Sequence, residues 1–173
     1  YAVIYTAWLK RRTPQNIVIG GAAGAFPPMI GWVAATHSID LGAVILFLII
    51  FLWTPPHFWA LALLKSEEYA KNGIPMMPVV KGPARTKLEM LIYSLLVAVT
   101  GVAPWYVGFA SLAYGIAAGA LGFAFVALTF QVWRSNDPVW PKRLYGFSIL
   151  YLFLLFSALL AEQGLGLFRP VLG

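Results

Sequence analysis

The sequence predicts an all-α protein, a polytopic bundle of membrane helices. Of its 173 residues, 61% are hydrophobic and 10% are charged, whereas soluble domains carry about a quarter charged residues. Such a chain has too few polar side chains to cover itself in water. Several apolar stretches reach the roughly 20 residues that a helix needs to cross a bilayer. They lack strand-like alternation, so helices are favoured over a closed barrel. We expect about five full membrane helices and the end of another.

The predicted elements follow from where the apolar stretches begin and end. Residues 1–9 read as the end of a membrane helix. That run is too short to span a bilayer, so we expect the chain to be the later part of a longer one, with its N-terminal helices missing. The proline pair at 27–28 is expected to kink or interrupt its span, and the pair at 55–56 is expected to break the next span near its end. The predicted full spans are residues 15–36, 41–64, 88–109, 112–133 and 144–161.

Charge supports this layout. If each predicted span crosses once, the segment at 10–14 and the loops 65–87 and 134–143 share one side of the membrane. Those segments hold 11 of the 12 Lys and Arg residues, which is the positive-inside bias of cytoplasmic or matrix loops. The net charge of +6 is therefore explained by topology, and we expect no nucleic-acid partner. The residues concerned are Lys10, Arg11, Arg12, Lys65, Lys71, Lys81, Arg85, Lys87, Arg134, Lys142 and Arg143.

Three clusters near this basic side carry the candidate chemistry, because charged groups are nearly absent from the spans. The first is Lys10, Arg11 and Arg12, just before a predicted helix. Cations beside a helix N-terminus make an anion site, to which backbone N–H groups and the helix dipole add. The alternative is a topology anchor that touches only lipid headgroups. The sequence also contains no Cys, which excludes disulfides, thiolate metal sites and a Cys nucleophile.

The second cluster runs from Trp53 to Trp59 and combines two prolines, a histidine and three aromatic rings. Prolines free backbone carbonyls, and at membrane depth these are tolerated only where protein or a water-filled cavity receives them. The pattern favours a site lined by aromatic faces, with the His57 imidazole in reach. The alternative is a structural histidine beside Trp residues that anchor the helix at the interface.

The third cluster is the loop 65–87. Its tract 74–80 is too apolar for a solvated loop and too rich in proline for a regular helix, so we expect a lid or re-entrant segment packed on the helix bundle. Glu67 and Glu68 are candidate carboxylate ligands for a divalent cation, since Mg²⁺ uses one or two carboxylates with phosphate oxygens and water. The alternative is an ordinary solvated loop.

Two long motifs resemble a known family. Residues 5–6, 8–25, 27–28 and 31–32 are similar to the central region of the heme O synthases (protoheme IX farnesyltransferases), a branch of the intramembrane, UbiA-type aromatic prenyltransferases. Residues 53–62, Tyr69 and 73–80 resemble the second signature region of that branch, and residues 151–156 resemble its last helix. The resemblance covers essentially the whole chain. It identifies residues 1–173 as the C-terminal two-thirds of one membrane-embedded prenyltransferase domain.

The resemblance implies a fold of about nine membrane helices around a central cavity. It implies transfer of farnesyl from farnesyl diphosphate to a vinyl group of heme b, with Mg²⁺ as cofactor and heme b as substrate. The product, heme O, serves terminal oxidases directly or as the precursor of heme A. Heme A synthase and terminal-oxidase assembly are therefore expected partners. The expected location is the bacterial plasma membrane, in preference to the mitochondrial inner membrane.

The reaction assigns roles to the clusters. Diphosphate needs cations, and the allylic cation that develops needs aromatic faces and exclusion of water. His57 is expected to contact the heme iron or the reacting centre. Glu68 is the candidate metal ligand, because the family's first acidic motif would lie before Tyr1. The expected catalytic residues are His57, Tyr69 and Glu68; the diphosphate site is Lys10, Arg11, Arg12, Lys81, Arg85 and Lys87; and the prenyl and heme pocket is Trp53, Phe58, Trp59 and Met76.

Three alternatives remain open from the sequence. A transporter or channel subunit also has broken helices and a basic cytoplasmic face, although no span here carries an ion pair at mid-membrane depth. A prenyltransferase of the same superfamily would instead take a quinone precursor as acceptor. Finally, the chain by itself is expected to be inactive if half of its cavity is missing.

Overall fold

The computed structural model describes Thr13 and residues 15–165. It is a bundle built around five long helices that are joined by short connections, and the described residues contain no strand. Two short helices, α3 and α4, lie between α2 and α5. The helices are α1 (Asn16–Thr36), α2 (Leu41–Leu64), α3 (Ser66–Lys71), α4 (Met77–Val80), α5 (Gly82–Val107), α6 (Leu112–Arg134) and α7 (Val139–Gly164).

The five long helices are each long and apolar enough to cross a membrane. This confirms the predicted all-α class and the number of full spans. Helix α2 is central to the packing, since it contacts α1, α5 and α7, while α6 packs between α5 and α7. Two tyrosines tie the last three helices together. Tyr114 of α6 donates to the Gly101 carbonyl at 2.9 Å, and Tyr151 of α7 donates to the Val97 carbonyl at 3.3 Å.

Local sequence signals explain several helix ends. Asp40 accepts hydrogen bonds from the amides of Gly42 and Ala43 at the start of α2, and its carboxylate satisfies donors that a helix N-terminus leaves unpaired. Ser111 caps α6 in the same way through the Tyr114 amide. Helix α5 ends at Gly108, whose φ of 89° lies in the left-handed region that glycine adopts without strain.

The expected interruptions at the proline pairs are wrong. Helix α1 continues through Pro27 and Pro28, and α2 continues through Pro55 and Pro56 to its end. In α2 both prolines are buried within the bundle, and the Thr54 hydroxyl donates to the Ile50 carbonyl at 2.7 Å. Membrane helices tolerate proline where neighbouring protein and Ser or Thr side chains surround the affected backbone.

The polar segments are shorter than predicted. Helix α5 begins at Gly82, and Pro83 lies in its first turn, a position that suits a residue without an N–H. Helix α7 likewise begins at Val139. The connection after α2 also contains the unpredicted helix α3, and the tract expected to be irregular includes one helical turn, α4. This turn packs on α2, α3 and α5, which confirms that the segment lies against the bundle.

Candidate active site

His57 lies at the contact between α2 and α7. Its exposed fraction is 7%, and its Nδ1 is 2.6 Å from Oγ of Ser148, a fully buried serine of α7. The residue is about two turns from the end of α2 at Leu64, and Ser148 is a similar distance from the start of α7. Both therefore lie in the halves of their helices that adjoin the connections 65–81 and 135–138.

Aromatic rings enclose the imidazole on both faces. Trp53, four residues earlier on the same face of α2, stacks on it with ring centroids 4.3 Å apart and 17° between the planes. Tyr145 of α7 stacks on it at 4.7 Å and 20°. Phe58 meets its edge at 5.1 Å. The imidazole is held between two parallel rings, so its plane has little freedom to rotate.

Ser148 is the polar centre of this arrangement. Its hydroxyl donates to the Tyr145 carbonyl at 2.6 Å, and its own carbonyl accepts the Trp53 indole N–H at 2.8 Å. Together with the contact to His57 Nδ1, these bonds join both flanking aromatic residues and the imidazole to one turn of α7. The other imidazole nitrogen, Nε2, has no hydrogen-bond partner among the described residues.

A cavity of about 470 Å³ adjoins this site between α1 and α2. It is mainly apolar, and it brings together the two motif regions that were separate in the sequence. Helix α1 supplies a face of small residues, while α2 supplies two of the aromatic side chains that contact His57. The lining residues are Ile17, Gly20, Gly21, Ala23, Gly24, Ile50, Trp53, Thr54 and Phe58.

The small face of α1 lets the two helices approach closely beside the cavity. A Cβ at Gly21 would lie 2.8 Å from Thr54 Cγ2, whereas a Cβ at Gly24 would meet nothing within 4 Å. Gly21 is therefore a packing contact, and Gly24 borders open cavity. Trp53 and Phe58, which were assigned to the prenyl and heme pocket, both line this cavity.

Two other residues assigned to the pocket lie elsewhere. Trp59 is fully buried, and its ring meets Tyr93 of α5 edge-on at 5.6 Å. It follows His57 by two residues, which in an α-helix turns the side chain to a nearly opposite face. Met76 is 6% exposed within the hydrophobic core. Neither residue is among those that line the α1–α2 cavity.

The residues expected to bind diphosphate are only partly described. Lys10, Arg11 and Arg12 lie outside the described residues. On α5, Arg85 forms an ion pair with Glu89 at 2.8 Å, and Lys87, 8% exposed, donates to the Ser135 carbonyl and to Asn136 Oδ1. The Lys87 ammonium thus holds the connection between α6 and α7.

Lys81 is exposed at the start of α5. None of Lys81, Arg85 and Lys87 is among the residues that line the α1–α2 cavity.

The acidic residues of α3, Glu67 and Glu68, are exposed. Glu68 pairs with Lys65 at 3.2 Å, and Tyr69 is half-buried against the core. No three His, Cys, Asp or Glu residues within the described ranges come together as a metal site. A Mg²⁺ ion takes carboxylates together with phosphate oxygens and water. One exposed, ion-paired carboxylate does not by itself fit such a site.

Sequence reasoning missed Ser148 and Tyr145. One usable signal was present, because Ser148 is a hydroxyl inside an apolar predicted span, and polar residues there tend to face other helices. Its partner could not be read from the chain, since His57 is 91 positions away.

Comparisons with known proteins place the chain in a family. Residues 1–161 match the UbiA prenyltransferase family. A protein of Methylobacterium sp. (strain 4-46) is 60% identical over 99% of this chain and 55% of its own length. Proteins of Beijerinckia indica subsp. indica and Erythrobacter litoralis are each 60% identical over 94% of this chain, covering 52% and 55% of their own lengths. All three are named protoheme IX farnesyltransferase.

The chain spans about half the length of these curated relatives. No solved structure matches it. The five apolar helices and the family match, which covers 1–161, lead to one conclusion: the chain is an integral membrane protein that belongs to the UbiA prenyltransferase family.

Proposed function

We propose that the protein transfers farnesyl from farnesyl diphosphate to a vinyl group of heme b, giving heme O and diphosphate. The observation that carries this proposal is the 60% identity, over nearly the whole chain, to relatives named for that reaction. The family match argues against the transporter alternative. Residues 1–173 would form part of a single membrane-embedded prenyltransferase domain.

The α1–α2 cavity suits the chemistry of this transfer. As the C1–O bond of the donor breaks, diphosphate leaves with the electron pair and an allylic cation develops at C1. Trp53 and Phe58 line the cavity, and an aromatic face stabilises a cation that lies within about 6 Å of the ring centre. The apolar lining also keeps water from capturing the cation before the vinyl group does.

His57 would act after the new C–C bond has formed. The vinyl π electrons make that bond, which leaves a cation on the adjacent carbon. Water adds there to give the hydroxyethylfarnesyl product, and a base must take its proton. Neutral imidazole can take that proton, and it can equally ligate heme iron. Both roles use a ring nitrogen that bears a lone pair.

The basic segment Lys10–Arg12 would hold diphosphate. Helix α1 begins at Asn16, and Ile17 and Gly20 in its first turns line the cavity. Arg12 is four positions before Asn16, and an extended chain covers at most about 3.6 Å per residue. A guanidinium can bind phosphate oxygens in bidentate fashion, which is the role proposed for Arg12.

Other parts of the proposal rest on the family resemblance. Glu68 would supply one carboxylate toward Mg²⁺, and Tyr69 of α3 would supply an aromatic face. Lys81, Arg85 and Lys87 are weaker candidates for diphosphate, given the partners of the last two. The basic connections would face the bacterial cytoplasm, or the matrix in an organelle. Heme A synthase and terminal-oxidase assembly would be partners.

The test uses the protein in its full natural length, reconstituted in liposomes with heme b, farnesyl diphosphate and Mg²⁺. Mass spectrometry of the heme fraction should show the hydroxyethylfarnesyl product. Arg11→Ala should abolish it, and His57→Ala should slow its formation about 10²–10⁴-fold, the usual range for a lost proton-transfer group. Arg134→Ala is the matched control, because this arginine is predicted to lie on the same side of the membrane and its guanidinium rests over the Phe130 ring.

Each outcome has one meaning. If Arg11→Ala still forms the product, the basic segment is not the diphosphate site. If His57→Ala reacts at the wild-type rate, His57 has no role in the mechanism. Prenylation of a phenolic acceptor, with heme left unchanged, would move the protein to the branch that acts on quinone precursors.

A further inference from the structure

The hydrogen bonds around Ser148 determine which nitrogen of His57 carries the proton. A serine hydroxyl has one proton to donate and lone pairs with which to accept. Here the hydroxyl lies 2.6 Å from the Tyr145 carbonyl and 2.6 Å from His57 Nδ1. A carbonyl can only accept, so a hydroxyl that donates to it must accept from Nδ1, which then carries the imidazole proton.

The opposite tautomer would satisfy fewer groups. With the proton on Nε2, the serine would donate to Nδ1 and its bond to the Tyr145 carbonyl would be lost. The Nε2–H would then have no acceptor among the described residues. The Nδ1–H tautomer makes one more hydrogen bond and leaves only a lone pair without a partner.

The two aromatic residues fix the orientation of the same ring. Trp53 and Tyr145 stack on opposite faces of the imidazole, and the Trp53 indole N–H is tied to the Ser148 carbonyl at 2.8 Å. Rotation of the imidazole by half a turn about the Cβ–Cγ bond would put Cδ2 in the place of Nδ1, and the Ser148 contact at 2.6 Å would be lost. Trp53 also lines the α1–α2 cavity, so this clamp lies directly beside the proposed substrate space.

We propose that Ser148 is a positioning residue, which holds His57 as the Nδ1–H tautomer and so keeps a lone pair on Nε2. Its contribution to catalysis rests on the proposed function, whereas the tautomer itself does not. An Nε2 lone pair is what a base for the water proton needs, and also what an iron ligand needs. In metal sites, loss of a partner that orients a histidine costs about 10–100-fold in affinity or activity.

The matched control is Ser94 of α5. Like Ser148 it is fully buried, and its hydroxyl donates to the carbonyl three residues earlier, that of Leu91, at 2.8 Å. It contacts no histidine. Ser94→Ala therefore removes the same group from the same kind of helical site without touching His57, and it reports any general effect of deleting a buried hydroxyl.

The first measurement is ¹⁵N NMR of the full-length protein labelled at histidine, in detergent micelles without substrates. Protonated and unprotonated ring nitrogens have well-separated ¹⁵N shifts, and the His57 signals are identified as those missing from His57→Gln. Wild type and Ser94→Ala should show Nδ1 protonated and Nε2 unprotonated. Ser148→Ala should show a mixture of tautomers or mainly Nε2–H.

The second measurement is steady-state farnesyl transfer. Ser148→Ala should lower kcat about 10–100-fold, the range for an orienting partner, with KM for farnesyl diphosphate nearly unchanged. Ser148→Thr keeps the hydroxyl and should restore the Nδ1–H signature and much of the rate. If Thr does not fit this buried position, the Ser148→Thr variant will be less stable in an unfolding measurement. The rates of Ser148→Ala and Ser94→Ala then decide whether Ser148 has this role.

The proposal is overturned if His57 is Nε2–H in wild type, or if Ser148→Ala leaves the ¹⁵N shifts unchanged. Failure of the proposed function would look different, because wild type would then keep the Nδ1–H signature while producing no farnesylated heme.

Discussion

The close contact between α1 and α2 beside the cavity gives a quantitative test of the packing. A Cβ added at Gly21 would lie 2.8 Å from Thr54 Cγ2 and 3.0 Å from Thr54 Cβ. Overpacking of this kind costs about 1–3 kcal/mol. Alanine stabilises a helix over glycine by at most about 1 kcal/mol. We therefore expect Gly21→Ala to lower the free energy of unfolding by about 0–2.5 kcal/mol.

Gly24→Ala isolates the steric part of this effect. Gly24 is three residues later on the same helix, and a Cβ there meets nothing within 4 Å. Both variants gain the same helix propensity, so that contribution cancels in the comparison. The Gly21 variant should be less stable than the Gly24 variant by about 1–3 kcal/mol, the full overpacking cost.

A second substitution should relieve the clash. Thr54→Ser removes Cγ2, the atom nearest to the added Cβ, but keeps the hydroxyl that donates to the Ile50 carbonyl. In the double variant the cost of Gly21→Ala should fall, which appears as a favourable coupling energy of about 0.5–3 kcal/mol. Thr54 Cβ at 3.0 Å remains close, so the rescue is expected to be incomplete.

The assay is equilibrium unfolding of the full-length protein in mixed micelles, driven by a denaturing detergent and followed by tryptophan fluorescence. Equal stability of Gly21→Ala and Gly24→Ala would refute the close approach of α1 and α2. So would a coupling energy of zero between Gly21→Ala and Thr54→Ser.

Two further predictions concern polar contacts that hold helix ends. Lys87→Met removes the hydrogen bonds to the Ser135 carbonyl and Asn136, and loss of bonds from a charged group should lower the free energy of unfolding by about 1.5–3 kcal/mol. Lys81→Met, at an exposed neighbour, is the control and should change little; equal effects of the two variants would contradict this role of Lys87. Glu162→Ala leaves the Ser111 amide and hydroxyl at the start of α6 without their acceptor, at an expected cost of about 1–3 kcal/mol. Glu162→Gln, which keeps one acceptor oxygen, should lose less, and thermal unfolding in detergent would show whether it does.

The spans were predictable because the requirement that sets them is local. A helix in lipid must satisfy its own backbone and present an apolar surface along its whole length, and residues 41–64 were predicted to the same ends that α2 has. Helix starts next to proline were predicted less well. Residues 82–87 look polar enough for a loop, but Pro83 suits a first turn, and Lys87 finds oxygen partners on the neighbouring connection.

The sequence by itself determined that this is a bundle of membrane helices and which segments cross, and it predicted that the chemistry gathers around His57. Those properties depend on composition and on spacing within single segments. Only the tertiary structure decided the surroundings of His57. Ser148 is 91 positions away in the sequence. It meets His57 only because α7 packs on α2, and no local sequence pattern specifies that contact. The same packing placed Trp53 beside the cavity and Trp59 against Tyr93 of α5. Trp59 follows His57 by two positions, and side chains two positions apart on one helix face nearly opposite ways.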